Sequence, residues 1–284
     1  MQRLSYSPFA VLLFSLMLAC ASCANAQPLI DKPLIKWRGC WQQGGLLLGQ
    51  VAPGTTLSHQ GEIIKTTAEG QFLFGLGRNA PAISTFVVTD LAGVETEAEF
   101  KVATRDYNIQ KVEGVPQRTV EPPAAQLQRI RSDSALVTQA RRLVSDKTDF
   151  LSGFIKPLEG PITGVYGSQR FYNGVPKSPH YGLDYAAPTG TIVKAPASGI
   201  VRMAHEDLFY SGGTLIIDHG HGLSSSFLHL SEMLVKEGNR VQRGEPIARV
   251  GSTGRATGAH LDWRMNWLNQ RVDPALVLES FPAQ

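Results

Sequence analysis

Short apolar runs recur through the second half of the chain at the spacing of β-strands. The runs favour β structure and are bounded by Gly, Pro or Asp, residues that end regular elements. They cover residues 191–196, 199–204, 213–218, 223–230 and 247–251. Short strands separated by turn residues predict a compact antiparallel β domain, to which we assign residues 151–284.

The region from residue 27 to residue 112 also alternates apolar runs with turns rich in Gly and Pro. Its main apolar runs are residues 45–49, 72–75, 85–89 and 98–102. This pattern predicts a small β-sandwich. Such a domain could recognise a ligand or partner, cover a groove of the second domain, or act as a spacer.

Between these two regions, residues 113–150 form a linker with a helical pattern. Leu127, Ile130, Val137 and Val144 recur at helical spacing and predict an amphipathic helix over about residues 124–145. Its apolar stripe could dock on the second β domain or receive a partner helix. The predicted fold class is therefore mainly β, with an N-terminal small β-sandwich, an amphipathic helical linker and a C-terminal antiparallel β domain.

Residues 1–26 have the pattern of a signal peptide. Arg3 precedes an apolar stretch from about Phe9 to Ala19, and Ala24-Asn25-Ala26 is the small-x-small pattern of signal peptidase cleavage. This predicts cleavage after Ala26 and export. The apolar stretch is too short for a persuasive transmembrane span, so we expect membrane attachment only if the segment is retained.

The charge balance excludes one class of partner. A formal net charge of +3 at pH 7 is too small to predict binding of nucleic acid. The arginines of the predicted helix, among them Arg129, Arg131, Arg141 and Arg142, indicate a solvated face, with contact to an anionic surface as the weaker alternative.

Five residues have the spacing and chemistry of a metal site. His180 and Asp184 are four residues apart, His260 and Asp262 are two apart, and His229 lies between the pairs. Alternate side chains of a strand share a face, so each pair can point into one groove. A catalytic divalent metal needs three protein ligands, an open position and nearby bases, and these five residues can supply the ligands and the bases.

The remaining histidines predict no site. His219 and His221 imitate a His-x-His ligand pair, but they follow a strand and are interleaved with Gly, which favours a hairpin turn. His205 is interpreted as a turn or surface residue, and His59 as exposed.

Four segments between about Gly153 and Pro274 contain the candidate residues and their surroundings. They are His-Tyr-Gly-Leu-Asp-Tyr-Ala-Ala-Pro-Thr-Gly from His180, Ala-Pro-Ala-Ser-Gly-Ile-Val from Ala195, His-Gly-His-Gly-Leu-Ser-Ser-Ser-Phe-Leu-His-Leu-Ser from His219, and Val-Gly-Ser-Thr-Gly-Arg-Ala-Thr-Gly-Ala-His-Leu-Asp-Trp from Val250. In these segments and in their order, the chain resembles the M23 (LytM/lysostaphin-type) metallopeptidases.

The resemblance implies a zinc endopeptidase that cuts peptide bonds in the stems or cross-links of peptidoglycan. It makes His180 and Asp184 metal ligands, and it places His229 and His260 beside the catalytic water. The third family ligand is the second His of a His-x-His pair, and here that position is Asp262. A carboxylate oxygen can replace an imidazole nitrogen on zinc, but a second anionic ligand predicts weaker Lewis acidity.

Two alternatives stay open because of Asp262. Relatives that have lost ligands activate cell-wall amidases, so the chain could be a regulator with an amidase or another envelope protein as its partner. It could also bind peptidoglycan without cutting it. The site could hold manganese or iron instead of zinc, because oxygen-rich sites accept these metals. Export without a recognisable Gram-positive wall-anchoring repeat favours the periplasm of a Gram-negative bacterium.

Overall fold

The computed structural model describes residues 34–114 and 120–283. The signal peptide predicted over residues 1–26 lies outside the described residues. Among the helices in the described part of the chain, none combines the length and the apolar composition needed to cross a bilayer.

Two small sheets form the N-terminal sandwich, as the alternating runs predicted. One sheet contains β1 (Lys36–Gly39), β2 (Leu46–Gln50) and β5 (Gln71–Gly75), and the other contains β3 (Thr56–His59), β4 (Glu62–Ile63), β6 (Ile83–Thr89) and β7 (Glu95–Lys101). Phe86 of β6 packs against Phe74 of β5 and Phe100 of β7, with ring centroids 4.8 and 5.8 Å apart. Aromatic rings from both sheets therefore fill the space between them.

A ten-stranded sheet forms most of the C-terminal domain, and its strand pairs are antiparallel. Its strands are β9 (Ile162–Gly164), β12 (Gly182–Ala186), β13 (Ile192–Lys194), β14 (Gly199–Leu208), β15 (Gly212–Gly220), β16 (Leu223–Met233), β17 (Arg240–Val241), β18 (Pro246–Val250), β19 (His260–Trp267) and β20 (Gln270–Val272). Seven of them lie side by side in the order β17, β14, β15, β16, β19, β12, β9, while β18 pairs with β13 and β16 and β20 pairs with β19. The fold class is therefore confirmed as mainly β.

A separate three-stranded sheet connects the end of the sandwich to the C-terminal domain. Strand β8 (Ile109–Val112) pairs in parallel with β10 (Gln169–Tyr172), and β10 pairs with β11 (Val175–Pro176). Because β10 carries Arg170, this long-range pairing brings a guanidinium group beside the candidate site.

Helix α1 (Ala124–Arg141) lies on the large sheet, but the predicted stripe is wrong at both ends. Val137 and Ala140 pack against the cluster formed by Met203, Leu208 and Ile216. Leu127 is 41% exposed, and Val144 lies beyond the helix and is 40% exposed.

Polar contacts supply part of the attachment of α1, which explains why the apolar pattern alone misplaced its face. Arg129 forms an ion pair of 2.8 Å with Asp207, and the Asp133 carboxylate accepts a hydrogen bond of 2.7 Å from the Phe209 amide.

The sandwich and the C-terminal domain share one continuous apolar core. Phe74 packs on Trp267 with ring centroids 5.4 Å apart, and Arg105 forms an ion pair of 2.8 Å with the buried Asp273. Asp273 also caps α2 (Pro274–Ser280), because its carboxylate accepts from the Ala275 amide at 2.9 Å. The two halves are therefore joined by burial as well as by charge.

Candidate metal centre and active groove

Two carboxylates face each other across neighbouring strands at the centre of the candidate site. Asp184 of β12 and Asp262 of β19 are direct cross-strand partners, and both are buried. Like charges in this position repel one another, so the surrounding groups must compensate.

Glycines on neighbouring strands make room for these carboxylates. A Cβ atom added to Gly182 would lie 2.0 Å from Oδ1 of Asp262, and one added to Gly164 would lie 2.1 Å from Oδ2 of Asp184. Real Cβ atoms do not approach oxygen so closely, so a larger residue at either position would displace a carboxylate.

His180 completes the cluster with an imidazole whose orientation is fixed. Its Nδ1–H donates to the Val165 carbonyl at 3.1 Å, which leaves the lone pair of the neutral ring on Nε2. Nε2 lies 2.9 Å from Oδ1 of Asp184 and 3.6 Å from Oδ2 of Asp262. Burial opposes protonation of His180, but the two carboxylates outweigh it and raise its pKa.

The electrostatic setting of the cluster includes two arginines. Arg264 contacts both carboxylate oxygens of Asp262, with Nε at 3.0 Å from Oδ1 and Nη2 at 2.5 Å from Oδ2. Arg170 donates to Oδ2 of Asp184 at 2.9 Å. Burial opposes ionisation of Asp262, yet Arg264 and His180 hold the pKa of this carboxyl well below its usual range.

These residues fit a divalent cation. One ligand atom from each of His180, Asp184 and Asp262 lies within 4.8 Å of the others. Nε2 of His180 and Oδ1 of Asp184 are buried and make no hydrogen bond of acceptable geometry in spite of their proximity. A lone pair that faces a carboxylate oxygen is unfavourable without a proton or a cation between them, and one imidazole with two carboxylates is a set that zinc accepts. The structure therefore brings the three predicted ligands together.

The two remaining predicted residues lie side by side in the same region. The rings of His229 and His260 have centroids 4.8 Å apart. His229 Nδ1 hydrogen-bonds the Thr253 carbonyl at 2.8 Å, and His260 Nδ1 hydrogen-bonds the Gly258 carbonyl at 2.9 Å. Because a carbonyl only accepts, Nδ1 carries the proton in both neutral rings and Nε2 is available as a base.

His229 has two further unusual properties. Its backbone φ is 63°, in the left-handed region that non-glycine residues seldom occupy. Burial lowers its pKa to about 4, although the charge of Asp262 acts in the opposite direction. His229 is therefore a neutral imidazole at pH 7.

His229, Asp262 and Arg264 line one cavity of about 350 Å³, and residues of α1 form its opposite wall. Sequence reasoning missed Arg170 and Arg264. It also placed Arg141 on a solvated helix face, whereas the structure places this residue in the cavity lining, half-buried, with Nη2 donating to Ser226 Oγ at 3.0 Å. Only Arg264 had a usable signal, because it follows Asp262 by two residues on the same face of β19.

The other histidines lie outside the cluster, and two predictions need correction. His219 is a fully buried residue of β15, where its ring bonds the Ser198 carbonyl and Ser225 Oγ, and the turn contains His221 instead. His59 is half-buried, because its ring packs 4.8 Å from that of Phe74. His205 lies on β14 and is half-buried.

The profile of peptidase family M23 matches residues 178–274. The chain is 42% identical over 88 residues to the peptidoglycan DD-endopeptidase ShyA of Vibrio cholerae, which is 31% of this chain and 20% of that protein. It is 43% identical over 98 residues to the DD-carboxypeptidase/endopeptidase Mpg of Neisseria meningitidis, which is 34% of this chain and 22% of that protein. The chain thus spans about a fifth of the length of these two curated relatives.

A solved structure matches over a much larger part of the chain. A Pseudomonas aeruginosa protein classed with peptidase M23 superposes with a TM-score of 0.67 and 30% identity, covering 85% of this chain and 96% of that one. The profile covers only about a third of the chain, whereas this superposition covers 85% of it. The match therefore extends beyond the candidate metal cluster into the sandwich. From its profile match, its curated relatives and this superposition, the chain belongs to peptidase family M23.

Proposed function

We propose that this protein is an exported, metal-dependent endopeptidase that hydrolyses peptide bonds in the stems or cross-links of peptidoglycan. The observation that carries the proposal is the buried cluster of His180, Asp184 and Asp262 near two imidazoles. Asp262 and His229 line the same cavity, and the ring of His260 lies 4.8 Å from that of His229. Two curated relatives named as DD-endopeptidases support the choice of substrate.

His180, Asp184 and Asp262 would hold zinc as the resident metal. The bound cation would act as a Lewis acid that activates water and polarises the scissile carbonyl. Within this arrangement, Val165 fixes the ring of His180 so that Nε2 faces the cation site. Arg170 donates to Asp184 and Arg264 donates to Asp262, so the two guanidinium groups fix the orientation of the carboxylates.

The two free imidazoles supply acid–base chemistry. His229 is neutral at pH 7, so its Nε2 can take a proton from the attacking water. His260 is half-buried and lies against His229, where it can donate a hydrogen bond to the developing oxyanion once protonated. The hydrogen bond from His229 Nδ1 to Thr253 keeps the base in one orientation.

A regulator of cell-wall amidases is the second candidate function, and one observation favours it. Arg264 contacts both oxygens of Asp262, so the guanidinium competes with a cation for the same lone pairs. If Arg264 wins that competition, the groove would bind wall peptides or a partner without cutting.

One experiment distinguishes the two functions. Purified protein is assayed for bound metal and for new free amines released from cross-linked peptidoglycan peptides. Stoichiometric metal with amine release supports the peptidase. Stimulation of an amidase by a protein without metal or amine release would replace this proposal with the regulator.

Substitution of His260 by Ala tests the division of roles. We expect hydrolysis to fall by about 10²- to 10⁴-fold with metal content unchanged, because His260 acts on the reaction and not on the cation. His205→Ala, a change at a half-buried histidine of β14, is the matched control and should retain both hydrolysis and metal content. Loss of metal from His260→Ala would overturn the role given to this residue.

The place of action is part of the same proposal. The signal pattern of residues 1–26 supports export to the periplasm of a Gram-negative bacterium. Fractionation of cells that express the chain tests this, because an exported protein is released with the periplasmic contents after removal of residues 1–26. Retention in the cytosol at full length would contradict it.

A further inference from the structure

The wall of the groove next to the metal cluster contains more positive than negative charge. Arg141 of α1, Arg264 of β19 and Arg271 of β20 line the cavity that also contains His229 and Asp262. Asp262 is already bound by Arg264. A second carboxylate of the lining, Asp133, accepts from the Phe209 amide and lies 3.9 Å from Arg129.

Arg141 shows this excess of charge most clearly. Its Nη2 donates to the neutral Ser226 hydroxyl at 3.0 Å, and its Nε is buried without an acceptor. Burial lowers the pKa of Arg141 well below its usual range, and the charges of Arg271 and Arg264 lower it further. An arginine keeps its proton inside a protein, so this shift reports positive charge that lacks a counter-ion.

Arg271 is in a similar position on the neighbouring strand. Its Nη1 donates to the amide oxygen of Asn266 at 2.7 Å, which is again a neutral acceptor. Burial and the charge of Arg264 lower the pKa of Arg271 to about 10. Arg141 and Arg271 also line a second cavity that borders the end of α1, so side chains from α1 and β20 border a common space.

We propose that Arg141, Arg264 and Arg271 form a carboxylate-binding subsite that selects acidic peptides and orients them at the metal cluster. This rests on the proposed function, because the peptide is the substrate of that reaction. A carboxylate fits the site because a guanidinium presents a planar fork of N–H donors that matches two carboxylate oxygens. Arg264 would share its charge between Asp262 and the ligand and thereby link the subsite to the reacting centre.

The test compares two forms of one cross-linked peptide, with free carboxylates and with all carboxylates amidated. Binding to full-length His260→Ala protein is measured by calorimetry, so that turnover does not interfere. We expect the free form to bind about tenfold more tightly than the amidated form, and the difference to shrink as salt is added. Equal affinities for the two forms would overturn the subsite.

Variants on the same background locate the effect. Arg141→Gln and Arg271→Gln should each reduce the preference for the free form to about twofold, with the amidated form bound as before. Arg131→Gln changes an exposed arginine of the same helix that is outside the cavity lining and should keep the full preference. If both lining variants melt at the wild-type temperature and keep the preference, the assignment is wrong.

Kinetics of the otherwise unaltered enzyme separate this role from a structural one. Arg141→Gln should raise KM for the free form about fivefold with little change in kcat, whereas KM for the amidated form should change much less. Inorganic phosphate offers the same charge without a peptide. Phosphate that displaces the peptide while amidation has no effect would assign the site to phosphate and overturn the proposal.

The two proposals can fail separately. Carboxylate-dependent binding by a chain that never releases amines would leave the subsite in place and overturn the peptidase. Amine release at equal rates from free and amidated peptides, with equal affinities, would overturn the subsite and leave the peptidase in place.

Discussion

Asp262 is a candidate metal ligand and is also the ion-pair partner of Arg264. It faces Asp184 across the strand pair and also forms a two-oxygen contact with Arg264. Without Arg264, two buried carboxylates would repel each other whenever the cation is absent. The ion pair therefore stabilises the fold without a bound cation, and it would compete with the metal of the proposed function.

Substitution of Asp262 by Asn should reveal this stabilising contribution. With metal removed by a chelator, we expect the free energy of unfolding in urea to fall by about 2 kcal/mol, because Arg264 loses its partner. The double variant with Arg264→Gln should recover about half of that loss, since it leaves no unpaired charge.

The control for this pair is a solvent-exposed ion pair of similar length. Asp207→Asn removes the partner of Arg129 at 2.8 Å, where solvent screening limits the expected loss to about 0.5 kcal/mol. Equal stabilities of the single Asp262→Asn protein and the wild type would contradict the role given to Arg264.

At this scale the sequence was informative wherever the segments of a known family were present. All five candidate residues could be singled out because they lie in such segments. The structure places His180, Asp184 and Asp262 in one cluster and His229 beside His260, and their roles stay a prediction. Arg170 and Arg141 could not be singled out, because each reaches the groove through a long-range contact. Arg170 depends on the parallel pairing of β10 with β8, and Arg141 on the docking of α1.

Among the elements that form the candidate site, strand β12 has a strict spatial requirement at Gly182. Its Gly182 lies opposite Arg264, and the space beside its backbone is filled by Oδ1 of Asp262. A side chain on a strand normally stabilises the sheet by packing on its neighbours. At Gly182 the carboxylate of Asp262, on the next strand, occupies that space instead.

Gly182→Ala should therefore disturb the metal site more than the fold. We expect metal affinity to fall about tenfold or more, because the new Cβ would push Asp262 out of position. Gly258→Ala is the matched control, since nothing lies within 4 Å of its added Cβ. Wild-type zinc affinity of Gly182→Ala in a competition titration would show that Asp262 does not need this space.

Helix α1 shows why element boundaries were harder to predict than element type. The periodic pattern correctly indicated a helix from Ala124, but the helix ends at Arg141 and Val144 lies beyond it. The apolar spacing continued past the true end because Leu143 and Val144 are apolar yet half-exposed. Arg129 and Asp133 supply part of the attachment of the helix, and hydrophobic periodicity does not register such polar contacts.

At the scale of the whole molecule, one apolar core passes through both halves. Trp267 of β19 contacts Phe74 of the sandwich, and the Cβ atom of Trp267 lies where a side chain on Gly75 would be. Because this contact belongs to the strand that carries His260 and Asp262, loosening of the sandwich would reach the metal cluster through β19.

The shared core predicts a single unfolding transition. We expect calorimetry to show one peak whose calorimetric and van't Hoff enthalpies agree. Trp267→Ala should lower the melting temperature by roughly 6 °C or more, because it removes a large side chain that is only 8% exposed. Leu91→Ala, at a residue 83% exposed, should change it by about 1 °C. Two separate peaks in the wild type would contradict the shared core.

The same core limits how the C-terminal domain can be engineered. A fusion that grafts residues 151–284 alone onto another carrier would uncover the flank of Trp267 and leave Asp273 without Arg105. Such a graft would expose an apolar surface and leave a buried carboxylate without its ion-pair partner, and both favour aggregation. The practical minimal unit for transfer thus includes the sandwich, even though none of the five chemistry-bearing residues lies in it.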